Sequence, residues 1–408
     1  WDAALLNNGP DIPFRLDISG SGPTLKATLY DGSRAYEHTT SASFENGQLV
    51  LQAEHYLTTI TAKFENDALV GETKLQGPGY YAKFDFKAVR HAPVAAPVGK
   101  IPAIAGNWVI PLDKQSSKGE KAYRLIVEQK GAEAEASILR VDGDTGSYSG
   151  TFRDGKWVLS HFDGSRPGVI EVTARDDGTL GVVAHNEAII RALQGNDSDG
   201  YREEKYGDLT PHYTAYKPEI ARAKGFPEPA NYLTHTSVRD SNEKFKFAFP
   251  DVNGKVVSSE DYAGKVVVAI VTGTWCPNCH DEAQYLIQLD RKYRDQGLQI
   301  VALNFEEAEQ QASLQRVKAF VKQYGVKYPY LIAGAPEEMW EKVPQLTNLN
   351  TWPATVFVGR DGTVRSVHAG FASQASGPFH EQLKQEFTRQ IETLLAEKAG
   401  VDSKVAAR

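Results

Sequence analysis

The chain is nearly devoid of cysteine and methionine. Its two cysteines, Cys276 and Cys279, stand three apart, and Met339 is its single methionine. With no other cysteine, no intramolecular structural disulfide can form elsewhere, so the pair is either a catalytic dithiol or a pair of ligands. No run of about 18 apolar residues occurs, which leaves no segment for a helical membrane span. A concentrated basic face is missing too: 45 Lys and Arg stand against 52 Asp and Glu and are scattered, which argues against nucleic acid as a partner. The first residue is Trp1 instead of Met, as expected of a mature chain from which an export signal has been removed.

What is present exceeds one core. A chain of 408 residues predicts two or three domains. The first half reads as β structure, with short alternating runs such as Phe14-Arg15-Leu16-Asp17-Ile18 and Leu49-Val50-Leu51 between Gly, Asn and Asp turns. It also repeats itself. Ser43-Phe44-Glu45-Asn46-Gly47-Gln48-Leu49-Val50-Leu51 returns as Thr151-Phe152-Arg153-Asp154-Gly155-Lys156-Trp157-Val158-Leu159. Phe14-Arg15-Leu16 returns as Tyr123-Arg124-Leu125, and Leu180-Gly181 echoes Leu69-Val70-Gly71. The shared Asn-Gly or Asp-Gly marks a tight hairpin turn, because both residues tolerate positive φ. The expectation is an all-β domain, sandwich or barrel, made of a duplicated antiparallel unit over residues 1–92 and 100–195. A Pro-rich joint, Pro93-Val94-Ala95-Ala96-Pro97, separates the copies. Tyr148, Phe152, Trp157 and Phe162 are read as its core. Residues 196–242 show no clear period and are expected to be a linker, partly packed on a neighbouring domain. Asn196-Asp197-Ser198 within it fits a glycosylation sequon.

From residue 243 the pattern changes. Val266-Val267-Val268-Ala269-Ile270-Val271 is a continuous apolar run, as expected of a central parallel strand buried on both faces. A helix with Leu286, Leu289 and Tyr293 on one face follows the cysteines. Leu298 to Leu303 predicts a second strand, and Leu314, Val317, Phe320, Val321 and Tyr324 a second helix. Thr355 to Val358 and Val364 to His368 flank an Asp361-Gly362 hairpin turn, and Leu383, Phe387, Ile391 and Leu394 mark a last helix. Strands alternating with helices, then a closing hairpin and helix, predict an α/β layer over residues 243–398, with a frayed tail at 399–408.

Cys276-Pro277-Asn278-Cys279 thus lies directly after a buried strand and opens a helix. The unpaired N–H groups and the dipole at a helix start favour negative charge, so a thiolate is stabilised there. The two-residue spacer lets the second sulfur attack a mixed disulfide formed by the first. Cys276 is expected to be the exposed nucleophile and Cys279, one turn further in, the resolving thiol.

Trp275-Cys276-Pro277-Asn278-Cys279 resembles the Trp-Cys-x-x-Cys site of thioredoxins, especially the exported TlpA/ResA-like disulfide reductases. The resemblance extends over about residues 243–398. It takes in Phe249-Pro250-Asp251-Val252-Asn253-Gly254-Lys255, Gly264-Lys265 and Thr351-Trp352-Pro353-Ala354-Thr355. It implies a thioredoxin fold, a cis bond before Pro353, and docking of a substrate chain against Trp352 and Pro353, beside Trp275 and Pro277. It implies further an exported bacterial protein that reduces protein disulfides, takes electrons from a thiol protein and carries no cofactor. Glu282 matches a glutamate that this family has three residues after the second cysteine. It reads as a proton-handling group or as a helix-start carboxylate. Thioredoxins have a buried Asp where this chain has Ile270, so that proton route is closed.

Rival readings remain on the same residues. A zinc site needs four ligands, and no second Cys-x-x-Cys or paired-His spacing exists. Cys276-x-x-Cys279-His280 is formally a c-type haem attachment string. Haem attachment needs an exposed segment, whereas this one sits between a buried strand and a helix; His280 is then expected to face solvent. A peroxiredoxin-type thiol peroxidase would carry Thr where this chain has Gly273. A third reading makes the β region the working part, and that region is expected to bind a partner or mediate self-association.

Overall fold

A computed structural model describes residues 1–6, 9–77, 80–93, 99–185 and 210–397. Residues 94–97 of the Pro-rich joint, the Asn196 sequon and the tail at 399–408 lie outside the described residues. Contacts divide the chain into two units, Trp1–Arg140 with Asp144–Ala230, and Val141–Gly143 with Asn231–Arg408.

Among its described residues the first unit is all β apart from short helical segments. Its first sheet has nine strands between Asp2 and Val89, all antiparallel. Strand Asp2–Leu6 pairs with Ile12–Ser19 on one side and with Tyr80–Val89 on the other, which curls the sheet so that first and last strands meet. The second sheet runs in chain order from Gly106–Pro111 to His212–Ala215. It closes on itself: Val109 and Tyr216 exchange backbone hydrogen bonds of 2.8 and 2.9 Å. Closure removes the sheet's free edges.

The sequence repeats occupy matching places in the two sheets. Asn46-Gly47 turns strand Ser41–Glu45 into Gln48–Ala53, and Asp154-Gly155 turns Tyr148–Arg153 into Lys156–His161. All four turn residues have positive φ, between 51° and 79°, which is the backbone a two-residue hairpin turn requires. Phe14 to Leu16 and Tyr123 to Leu125 lie on the strands that pair with the first strand of their own sheet. Trp157 is fully buried in the second sheet's core, with Tyr148 and Phe152 packed against that cluster. Phe162 instead inserts into the first sheet's core, its ring 4.8 Å from that of Phe14. The closing strand His212–Ala215 and helix Pro218–Ala223 come from the segment read as a linker. A strand of four residues between prolines is too short to show a period.

The core of the second unit consists of β1 (Val266–Thr272), α1 (Pro277–Tyr293), β2 (Leu298–Phe305), α2 (Gln315–Tyr324), β3 (Tyr330–Gly334), β4 (Ala354–Val358), β5 (Val364–Ala369) and α3 (Pro378–Ala396). The sheet order is β3-β2-β1-β4-β5. The first three strands run parallel, and β4 and β5 are antiparallel additions. This is the thioredoxin core arrangement with one further parallel strand at the β3 edge. Every residue of β1 is buried, the burial on both faces that its unbroken apolar run requires. Val267, Ala269 and Val271 join one core cluster, and α1 and α3 bury Leu286, Leu289, Tyr293, Leu383, Phe387, Ile391 and Leu394. Ahead of the sheet, Ala248–Pro250 and Val256–Ser258 form a hairpin, and Ser237–Val238 pairs with Leu346–Thr347. Among the described residues no helix is long and apolar enough to cross a membrane.

Candidate active site

The dithiol stands where the central strand hands over to α1. β1 ends at Thr272, and Gly273 to Cys276 form a turn in which Cys276 N–H donates to the Gly273 carbonyl at 3.0 Å. A side chain at residue 273 would meet the Trp275 indole 2.3 Å away, so only glycine fits beneath that ring. Cys276 is the N-cap of α1 and Pro277 its first helical residue, a position where the missing N–H costs nothing. The Cys279 N–H donates to the Cys276 carbonyl at 3.0 Å, which places the second sulfur one turn inward. Both thiols are free.

The expectation of an exposed Cys276 is corrected. Cys276 is 4 % exposed and Cys279 2 %. The cis Trp352-Pro353 bond turns the chain against the first sulfur, and Cys276 Sγ donates to the Trp352 carbonyl at 3.4 Å. Trp275 donates its indole N–H to the Phe305 carbonyl at 2.9 Å, and its ring meets that of Trp352 edge-on with centroids 5.1 Å apart. Cys276, Trp275, Pro277, Trp352 and Pro353 are therefore gathered at one end of the sheet.

Burial pushes the Cys279 thiol well above its usual range, and its hydrogen bond with Cys276 and that neighbour's charge push the same way. The Thr272 hydroxyl and the Gly273 backbone oppose them. Glu282 is 1 % exposed and accepts a hydrogen bond from the Thr355 hydroxyl. Burial raises its carboxyl to about 8, against the opposing effect of Thr355. A helix-start carboxylate in solvent has no such surroundings, and Glu282 is an interior acid. Tyr328 and Tyr330 are buried and have their phenols raised, first by burial. The charge of Glu282 adds to the rise at Tyr328 and that of Cys279 at Tyr330.

His280 does not face solvent. It is fully buried, with Nε2 2.7 Å from the Thr274 carbonyl and Nδ1 2.9 Å from the Tyr324 hydroxyl. The reason is α2, whose Phe320 ring meets the imidazole edge-on at 4.7 Å. Thr355 beside Glu282, Tyr330 beside Cys279, Tyr328, and the linked Thr274, Glu306 and Arg316 are buried polar residues that the sequence did not single out. Of these, Thr355 carried a signal, since it follows Trp352-Pro353 by two residues at the start of β4.

Residues 239–381 match the Redoxin family model. Over 169 residues the chain is 27% identical to the thiol-disulfide oxidoreductase ResA of Halalkalibacterium halodurans, covering 41% of this chain and 90% of that one. Over 146 residues it is 31% identical to ResA of Bacillus thuringiensis subsp. konkukian, covering 36% of this chain and 79% of the relative. The chain belongs to the ResA family of thiol–disulfide oxidoreductases. A solved thioredoxin-family thiol:disulfide interchange protein from Chlorobium tepidum TLS is 22% identical, with a TM-score of 0.30, over 39% of this chain and 99% of that one. The ResA-like part is the second unit, and thiol–disulfide exchange is its chemistry.

Proposed function

We propose that this ResA-family chain reduces disulfides in other proteins, with Cys276 as nucleophile and Cys279 as resolving thiol. The observation that carries the reading is the Cys276 sulfur lying 3.4 Å from the Trp352 carbonyl, beside the cis Pro353. A substrate strand laid along Trp352 and Pro353 brings its own sulfur to Cys276, with Trp275 and Pro277 framing the approach. The Cys276 thiolate attacks, a mixed disulfide forms, and one substrate sulfur leaves as thiolate. Cys279 then loses its proton and attacks Cys276, which releases the second substrate sulfur and leaves a Cys276–Cys279 disulfide. Glu282 is the group that accepts the Cys279 proton. Two electrons have passed to the substrate, so a thiol protein must return two electrons before the next turnover. No cofactor enters the cycle, and a bacterial protein working in an exported, oxidising space fits it.

Reduction of insulin disulfides by the pre-reduced protein, together with its reduction potential, tests this reading. Turnover with a potential below that of the glutathione pool is expected. Hydrogen peroxide consumption without insulin reduction would favour a thiol peroxidase, and inertness toward both would leave the β unit as the working part.

We propose further that the two β copies expected over 1–92 and 100–195 make one working β domain, completed by strand His212–Ala215 and helix Pro218–Ala223 from the stretch expected as a linker, and that this domain binds a partner or associates with itself. All chemistry-bearing sulfur lies in the second unit. A chain beginning at Asn231 is expected to keep most of the activity on a small aromatic disulfide and to lose only partner binding or self-association, read by gel filtration and light scattering. Loss of small-disulfide activity in a demonstrably folded chain of this length would contradict it.

A further inference from the structure

A buried polar cluster behind the dithiol takes no part in the exchange steps. It starts on α2, where Arg316, Phe320 and Tyr324 follow one another at four-residue spacing and so share a face. Arg316 is 1 % exposed. Its Nη2 donates to Glu307 Oε2 at 2.6 Å and to Glu306 Oε1. Glu306 is fully buried just past β2, and its other oxygen accepts from the Thr274 hydroxyl and from Asn304 Nδ2 at 3.3 Å. Asn304 Oδ1 accepts the Thr274 N–H at 3.1 Å. On the opposite side, the Thr274 carbonyl accepts from His280 Nε2. A carbonyl only accepts, so Nε2 carries a proton whatever the charge on the ring. His280 is held in turn by Phe320 and Tyr324.

The N–H, the hydroxyl and the carbonyl of Thr274 are therefore all engaged, by two routes that both end on α2. Thr274 lies two residues before Cys276, inside the turn that presents the sulfur. A buried ionic cluster is weak as a source of stability, since a well-packed apolar one serves as well. Its effect here is to fix the place of one short segment.

We propose that His280, Glu306 and Arg316 are positioning residues which, through Thr274, fix the Gly273–Cys276 turn and so govern the exchange equilibrium and the reactivity of Cys276. The proposal rests on Cys276 being the nucleophile. A dithiol's potential reflects how far the fold favours bridged sulfurs over separate thiols, and releasing the segment that carries one sulfur changes that balance.

The test uses the full chain. His280→Phe keeps an aromatic ring and removes the N–H, His280→Gln keeps an N–H of similar reach, and Thr274→Val removes only the hydroxyl donor. The readouts are the melting curve, the equilibrium constant with glutathione and the rate of Cys276 alkylation by iodoacetamide. In folded His280→Phe and Thr274→Val the equilibrium constant is expected to change about tenfold, close to 30 mV for a two-electron couple. Alkylation is expected to slow by a similar factor, with His280→Gln restoring most of both. Folded His280→Phe and Thr274→Val proteins with wild-type constants would overturn the proposal, as would equal defects in the Phe and Gln variants. Should His280→Phe not fold, Thr274→Val decides alone. Wild-type protein inert toward every disulfide would instead overturn the reading of Cys276, which separates the two failures.

Discussion

Cys279→Ser is expected to stop the reaction halfway, with substrate covalently attached to Cys276. A serine at 279 has no sulfur with which to resolve the mixed disulfide, so the intermediate accumulates and survives non-reducing electrophoresis. Cys276→Ser should trap nothing, because burial holds the remaining thiol in the protonated, unreactive form. Both variants should lose insulin reduction by roughly 10³-fold or more, since each removes an obligatory step. The asymmetry in trapping assigns the roles. Equal trapping by the two variants, or trapping by Cys276→Ser alone, would reverse the order of the sulfurs.

The dithiol and its loop were legible because their signals are local. A strand of unbroken apolar residues, a Trp-Cys-x-x-Cys and a Trp-Pro before a second apolar strand each sit within a few residues. The doubled hairpin was legible for the same reason, since Asn46-Gly47 and Asp154-Gly155 carry their turn chemistry in themselves. What was hidden depends on pairs far apart in the chain. Arg316 stands on the buried face of α2, and a charged residue in an amphipathic helix is assigned to the wet side unless its partners Glu306 and Glu307 are known to be buried. His280 reads as a first-turn surface residue until α2 is laid over it. The second sheet's closing strand was missed because His212 to Ala215 is too short to alternate visibly, and its pairing with Leu180–Ala184 crosses a long stretch of chain.

The sites the sequence missed also follow a physical order. Each is polar, each is buried, and each is satisfied by a neighbour brought in by tertiary packing: Thr274 by Glu306, His280 by Thr274 and Tyr324, and Thr355 by Glu282, the carboxyl that the sequence did single out. Buried polar groups need such partners, and hydrophobic periodicity contains no information about them. In this family member they cluster around the reacting sulfurs, where fixed geometry matters most.

Glu282→Gln is expected to change both the pH profile of the resolving step and the pH dependence of stability. With its carboxyl at about 8, only roughly a tenth of Glu282 is ionised at pH 7. The fraction able to take the Cys279 proton then grows as pH rises toward 8. Wild-type resolution should therefore accelerate through this range and level off above it. The glutamine variant, which cannot accept a proton, should be slower by about 10²-fold near pH 7. Its rate should rise only with ionisation of the Cys279 thiol itself, without levelling near pH 8. Stopped-flow measurement of mixed-disulfide decay between pH 6 and 9 separates the two. The stability effect has the opposite sense. A carboxyl raised in the folded state above its unfolded value favours folding fully while both states are protonated, and that advantage is lost as pH rises through the folded value. Moving from 4.5 to about 8, at roughly 1.4 kcal/mol per pH unit, amounts to a few kcal/mol lost between about pH 5 and 8. Glutamine is neutral throughout and escapes this loss, so the reduced variant should gain on the wild type steadily with pH and be more stable by a few kcal/mol at pH 9 in urea denaturation. A constant difference between the two proteins from pH 5 to 9, with resolution rates of the same pH dependence, would show that Glu282 titrates like an ordinary surface carboxylate and handles no proton.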